Sequence, residues 1–209
     1  MFNDVSVGDL AIIAFTMLFS LSLHEAMHGF VAHYLGDSTA QEEGRLTLNP
    51  LKHVDVITTL VLPVVLIALH LPPIFIAKPV PFNPYRLRYG EIGAALVGLA
   101  GPFTNLILAV VASLVLRIGV STLDLGAMHA LALFMQINIA IFVFNMIPLP
   151  PLDGSRLLYA FAPELVQRVM QQIEAAGFLV TITVLLLLSP VIGPVVNTVT
   201  QNIFAFLLR

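Results

Sequence analysis

The sequence has no cysteine and few charged side chains. Its 209 residues include 9 Lys and Arg and 12 Asp and Glu, which give a formal net charge of −3. Without cysteine the chain can form no disulfide, and thiolate nucleophiles and thiolate zinc sites are excluded. The scattered basic residues form no stripe that could neutralise a nucleic-acid backbone, so we expect no nucleic-acid partner.

Long polar linkers and sequence repeats are also missing, whereas apolar residues make up 58% of the chain. Several apolar runs are long enough to cross a hydrocarbon layer of about 30 Å. We therefore predict an all-α polytopic membrane protein, a bundle of about five to six transmembrane segments in a lipid bilayer. We expect a single membrane-embedded domain over residues 1–209, with a core at 7–156 and C-terminal helices at 157–209.

The run lengths and the prolines predict the individual segments. The expected spans are residues 7–34, 91–116, 127–147, and two further apolar stretches that Pro190 and Pro194 separate. Residues 56–77 are apolar but interrupted by prolines, so this stretch either spans the membrane or re-enters and leaves by the same face. Alternating residues at 45–48 before an Asn-Pro turn signal predict a strand or a small hairpin.

The first apolar segment ends in the pattern H-E-x-x-H at residues 24–28. On a helix, His24 and His28 lie one turn apart on the same face and aim at a common point, which suits one Zn²⁺ ion per chain. Glu25 projects about 100° away around the helix axis, where it fits a general base better than a third ligand. Ionisable groups are costly inside a membrane, which favours a functional site over a chance match.

A catalytic zinc site needs a third protein ligand, for which Asp153 is the best candidate. It is the only carboxylate between Asp124 and Glu164, and it follows a proline-broken helix end. The alternative is a turn aspartate beside Gly154.

The depth of Asp153 in the membrane helps to decide whether it is a zinc ligand or a turn aspartate. Both ligand-bearing segments reach the same face only if an odd number of crossings separates them, and one crossing at 91–116 satisfies this condition. Residues 56–77 would then be re-entrant. Seven basic residues would lie on the ligand side, which the positive-inside rule assigns to the cytoplasm.

Five sequence stretches together resemble the site-2 protease family of intramembrane zinc metalloproteases. They are HEAMHG, GRLTLNPLKHVD, KPVPFNPYRL, LAGPFTNL and NMIPLPPLDG, and the resemblance covers roughly residues 10–156. It is closest to short prokaryotic members without a PDZ domain. The resemblance implies zinc ligands at His24, His28 and Asp153, with Glu25 as the catalytic base.

The resemblance also implies a function. We expect a zinc metalloendopeptidase that hydrolyses peptide bonds in or near transmembrane segments of substrate proteins, by zinc-activated water, in a prokaryotic cytoplasmic membrane. By the same resemblance, Asn105 and Asn145 position substrate or stabilise the oxyanion; the alternative for each is an asparagine that packs between helices. The loop at residues 44–50 resembles the membrane-associated β-hairpin of this family, which would pair with an unwound substrate by strand addition.

Two points stay open at this stage. The same His and Asp residues could form the site of a membrane metal-ion transporter or sensor without hydrolysis, although no inverted repeat supports this alternative. The oligomeric state and the substrate are not indicated by the sequence. His53, beside Asp55 in a polar loop, is interpreted as a solvated interfacial histidine.

Overall fold

A computed structural model describes residues 6–68 and 77–209 of the chain. Its principal elements are four long helices: α1 (Val7–Tyr34), α4 (Gly90–Gly119), α5 (Leu125–Asn145) and α8 (Phe178–Leu207). Each contains an apolar stretch long enough to cross a membrane, and no other described helix does. The described residues thus contain four candidate spans, against the five to six segments that the sequence suggested for the whole chain, and the all-α prediction is confirmed for the described residues.

Shorter helices lie between the long ones. They are α2 (Thr39–Glu42), a π-helical segment (Val56–Val61) that continues into α3 (Leu62–Ala68), α6 (Gly154–Phe161) and α7 (Glu164–Ala175). Two single 3₁₀ turns occur at Pro50–Lys52 and Pro84–Arg86.

Local sequence signals fix the starts of two of the long helices, α1 and α5. At α1, Ser6 and Asp9 form a capping box, in which each side chain accepts from the other residue's backbone N–H. At α5, the Asp124 carboxylate accepts from the backbone N–H of Ala127. Both caps satisfy N–H groups that a helix start leaves without partners.

Helices α1 and α5 run in the same direction. Near their starts, His129 Nε2 lies 2.6 Å from Asp9 Oδ1. Helix α4 lies between them in sequence and runs the opposite way, as the hydrogen bond from Arg88 N at its start to Leu35 O past the end of α1 shows. Helix α8 returns beside α4, where the Ser113 hydroxyl donates to Leu207 O. Among the described residues, one long antiparallel helix, α4, therefore lies between the two parallel helices, which agrees with the expectation from membrane depth.

The residues that flank the stretch at 56–77 lie next to each other. Lys78 N donates to His53 O at 2.9 Å, so the chain leaves and returns at one point. This closure agrees with a re-entrant course. Residues 69–76 lie outside the described part of the chain, so the depth that the stretch reaches stays a prediction.

The prediction that Pro190 and Pro194 separate two spans is wrong, because α8 continues through both prolines. Pro190 has no N–H to donate to Leu186 O, four residues earlier. The Ser189 hydroxyl donates to that same carbonyl at 2.7 Å. A side chain thus replaces the missing backbone donor, which is how membrane helices tolerate proline.

The predicted β-hairpin at residues 44–50 is absent, and no strand occurs in the part of the chain that the structure describes. The backbone groups of this loop bond locally instead of across a ladder. Thr47 N donates to Arg45 O, Asn49 N donates to Thr47 Oγ1, and the Thr47 carbonyl contacts His53 Nε2. Once these groups have local partners, the segment no longer needs a second strand.

Candidate metal centre

The two histidines of the H-E-x-x-H pattern lie side by side near the end of α1. Their ring centroids are 4.7 Å apart and the ring planes are nearly perpendicular. Both residues are buried, at 4% exposure for His24 and 7% for His28. The i, i+4 spacing produces this pairing because side chains one turn apart share a helix face.

Asp153 completes the group from the far end of the chain. It follows the proline-rich turn after α5 and directly precedes α6. Its Oδ2 lies 2.9 Å from His24 Nε2 and 3.4 Å from His28 Nε2. Among the described residues this is the one set of three His, Cys, Asp or Glu side chains that could share a metal ion. The sequence prediction that these residues converge is confirmed.

The donor set fits zinc. Two imidazole nitrogens and one carboxylate oxygen form a common catalytic zinc set, and ligand atoms around tetrahedral zinc lie about 3.3 Å apart. The ligand atoms of this group all lie within 4.8 Å of one another. His28 Nδ1 contacts the backbone carbonyl of Val97 at 2.7 Å, and a carbonyl can only accept, so that nitrogen carries the hydrogen. In the neutral ring, Nε2 then directs a lone pair towards the carboxylate, an arrangement that a shared cation stabilises.

Two glycines on one face of α4 make room for this group. A Cβ at Gly101 would lie 2.5 Å from His28 Nε2 and 2.6 Å from His24 Nε2. A Cβ at Gly98, one turn earlier, would lie 3.0 Å from the Asp153 carbonyl oxygen. Only residues without a side chain allow α4 to approach both the imidazoles and the start of α6. Gly101 belongs to the LAGPFTNL stretch, whose residue pattern alone does not indicate this role.

Glu25 projects from α1 beside the two histidines and is half-buried. Its Oε2 accepts a hydrogen bond from the backbone N–H of Val80 at 2.8 Å. Val80 belongs to residues 77–83, an extended segment that we call the strap. Arg45 donates to the Lys78 carbonyl, and the Asn83 N–H donates to Asp37 Oδ2, so the strap is held on both sides of Val80.

His53 supports the strap and is not a solvated histidine, which corrects the sequence interpretation. It is 1% exposed. Its Nε2 contacts the Thr47 carbonyl, and its own carbonyl accepts from Lys78 N. The neighbouring charged residues in the sequence suggested exposure, whereas the fold places the 44–53 loop beneath the strap.

The two asparagines implied by the family resemblance differ in position. Asn105 is fully buried, and its Oδ1 lies 2.6 Å from His24 Nδ1 while its Nδ2 donates to Asn138 Oδ1. Both ends of its amide are therefore engaged, which favours a role in orienting His24 over contact with substrate. Asn145, the last residue of α5, donates from Nδ2 to the Ile141 carbonyl of its own helix. Its Oδ1 has no partner among the described residues.

Comparisons with known proteins agree with this chemistry. A family model described as "Peptidase family M50" matches residues 117–189, which include Asp153. The protein named "Putative zinc metalloprotease YwhC" from Bacillus subtilis (strain 168) is 34% identical over 197 residues, covering 90% of this chain and 87% of YwhC. "Putative zinc metalloprotease Rip2" from Mycolicibacterium smegmatis is 33% identical over 195 residues, covering 90% of this chain and 70% of Rip2. No solved structure matches the chain.

Proposed function

Because this chain belongs to peptidase family M50 and is a zinc metallopeptidase, we propose that it cleaves peptide bonds of membrane proteins within or at the edge of the bilayer. The observation that carries the proposal is the convergence of His24, His28 and Asp153. Two of these residues lie on a helix long and apolar enough to span a membrane, and the third follows another such helix. We also propose that the 209 residues act as one membrane-embedded domain.

The zinc ligands in this proposal are His24 Nε2, His28 Nε2 and Asp153 Oδ2. Bound there, zinc supplies a Lewis acid for the scissile carbonyl and lowers the pKa of a water molecule. Burial of both imidazoles limits competition from bulk water and strengthens electrostatic interactions at the site.

Glu25 is the general base. The Val80 N–H fixes Oε2 of its carboxylate, and Oε1 has no partner among the described residues. Oε1 is therefore available to accept the proton of the attacking water and then to deliver it to the leaving amine nitrogen. Asn145, whose Oδ1 has no partner in the part of the chain that the structure describes, is the remaining candidate for a contact with substrate backbone.

The substrates are transmembrane proteins in this proposal, and the site opens towards the cytoplasm of a prokaryotic cell. Seven of the nine Lys and Arg residues lie at the end of the bundle that carries the metal centre, and Arg117 and Arg209 lie at the other end. This asymmetry supports a cytoplasmic orientation of the site by the positive-inside rule.

The decisive test is the variant Glu25→Gln in the full chain, reconstituted in proteoliposomes with a single-span substrate peptide. We expect normal zinc content, because Gln preserves the shape and leaves the ligands intact. We expect cleavage to fall by at least about 10²-fold, because the amide cannot accept the proton. Glu91→Gln, an exposed carboxylate at the start of α4, is the matched control and should cleave normally. Normal cleavage by Glu25→Gln would refute Glu25 as the base.

A transport function for the same ligands makes a different prediction. Zinc flux into proteoliposomes, without cleavage of any single-span peptide, would support the transporter or sensor alternative. The strap bond to Glu25 favours hydrolysis, because a transport site formed by three ligands has no need of a held carboxylate beside them.

A further inference from the structure

Two buried asparagine amides connect the metal centre to the interior of α5. His24 Nδ1 lies 2.6 Å from Asn105 Oδ1, and Asn105 Nδ2 donates to Asn138 Oδ1 at 2.9 Å. Asn138 Nδ2 in turn donates to the carbonyl of Phe134 at 2.9 Å. Both asparagines are 0% exposed. This relay joins α1, α4 and α5, and neither the sequence nor the family resemblance singled out Asn138.

The end of the relay determines its direction. The Phe134 carbonyl can only accept a hydrogen bond, so Asn138 must present its NH₂ group there and its oxygen to Asn105. Asn105 must then present its NH₂ group to Asn138 and its oxygen to His24. Reversing either amide would bring two oxygens or two NH₂ groups face to face in a buried site, which costs the full penalty of unmade hydrogen bonds.

The direction of the relay also determines the tautomer of His24. An oxygen at Nδ1 requires that nitrogen to carry the hydrogen, so Nε2, which lies 2.9 Å from Asp153 Oδ2, is the ring nitrogen that can bind a metal beside that carboxylate. In His28, Nδ1 also carries the hydrogen, because it contacts the backbone carbonyl of Val97. A backbone carbonyl, unlike an amide side chain, cannot exchange its oxygen for an NH₂ group. His24 depends instead on a side-chain amide that could reverse if nothing held it.

We propose that Asn138 is a positioning residue for the metal centre, because it holds Asn105 in the orientation that keeps His24 Nε2 available as a zinc ligand. The proposal rests on the ligand set given above. Loss of Asn138 frees Asn105 to turn its NH₂ group towards His24 Nδ1, which favours the tautomer with hydrogen on Nε2. That tautomer cannot bind zinc through Nε2 without first moving its proton.

The test measures zinc affinity by chelator competition on the full chain. Asn138→Leu should bind zinc about tenfold more weakly, the lower end of the effect of outer-shell partners. Ser113→Ala is the control, because it also removes a buried hydrogen bond between helices but at the far end of the bundle. It should reduce stability while its zinc affinity stays within about twofold of the wild type. Equal affinities for Asn138→Leu and the wild type would overturn the proposal.

Two further measurements separate positioning from packing. In ¹⁵N-histidine NMR of the zinc-free chain, Asn138→Leu should lower the hydrogen occupancy of His24 Nδ1, the nitrogen that faces Asn105, and an unchanged Nδ1 signal would contradict the proposal. Because Asn138 acts through Asn105, the double variant with Asn105→Leu should bind zinc no more weakly than Asn105→Leu alone. Additive losses would also overturn it. If Asn138→Leu does not fold, Asn138→Ser replaces it as a smaller change. The same loss of zinc affinity and the same NMR change are expected for the serine variant.

These outcomes are distinguishable from failure of the proposed function. A wild-type chain that binds zinc but cleaves no peptide would refute the protease mechanism and leave the relay testable. A wild-type chain that cleaves peptides, together with an Asn138→Leu variant of unchanged zinc affinity and tautomer, would refute the relay alone.

Discussion

Gly101 gives the sharpest quantitative test of the metal centre. In Gly101→Ala the new Cβ would lie 2.5 Å from one imidazole nitrogen and 2.6 Å from the other. An ordinary contact requires about 3.5 Å, so each nitrogen would have to move by about 1 Å. Zinc sites tolerate changes in ligand distance of only about 0.2 Å. The required displacement is therefore about five times the tolerance.

Hydrogen bonds and burial restrict the movement of both imidazole rings. His24 is held at Nδ1 by Asn105, and His28 is held at Nδ1 by the Val97 carbonyl. Both rings are buried. At the same time, alanine is a better helix former than glycine by about 0.5–1 kcal/mol, so α4 itself should not be weakened. We therefore expect a folded protein that has lost its metal.

The assay is zinc stoichiometry by elemental analysis of the purified protein, with circular dichroism to check the helix content. We expect zinc per chain to fall at least about tenfold and peptide cleavage to disappear with it. Gly193→Ala is the matched control, since a Cβ at that helical glycine of α8 would meet no atom within 4 Å. It should retain full zinc content. Full zinc content in Gly101→Ala would refute the metal position between these two rings.

Two further substitutions test the strap and the proline-containing helix. Val80→Pro removes the N–H that holds Glu25, so peptide cleavage should fall about tenfold or more at unchanged zinc content, whereas Val80→Ala keeps the N–H and should cleave normally. Loss of zinc in Val80→Pro would instead mean that the strap supports the whole centre. Ser189→Ala leaves the Leu186 carbonyl without its donor and should destabilise the fold by about 1 kcal/mol in a denaturation assay in detergent. Thr104→Ala should cost less, because the carbonyl that its hydroxyl contacts keeps a helical N–H partner, and equal losses would contradict this account.

The sequence predicted which residues come together because their chemistry leaves a local signature. Two histidines four residues apart on a helix must share a face, whatever the rest of the fold does. Asp153 required one additional argument, that apolar segments of similar length bring residues to similar depth. Helix geometry and membrane thickness are enough for both predictions, and neither depends on tertiary packing.

Features that depend on side-chain hydrogen bonds could not be predicted in this way. The alternating residues at 45–48 indicated a strand, but Thr47 and His53 satisfy the loop locally. Proline at position 190 indicated a helix end, but a serine hydroxyl replaces the missing donor. In each case a single side chain outweighs a backbone preference, and the sequence pattern contains no information about where that side chain points.

The register between α1 and α5 accounts for the similar depth of the two histidines and Asp153. Near their starts the two parallel helices are joined by Asp9 and His129, 2.6 Å apart. From there α1 rises 15 residues to His24, about 22 Å, and α5 rises 16 residues to Asn145, about 24 Å. The turn that carries Asp153 therefore begins at the level of the histidines. An insertion of one residue in either helix between these points would rotate its face by about 100°, so the metal centre constrains both helix lengths.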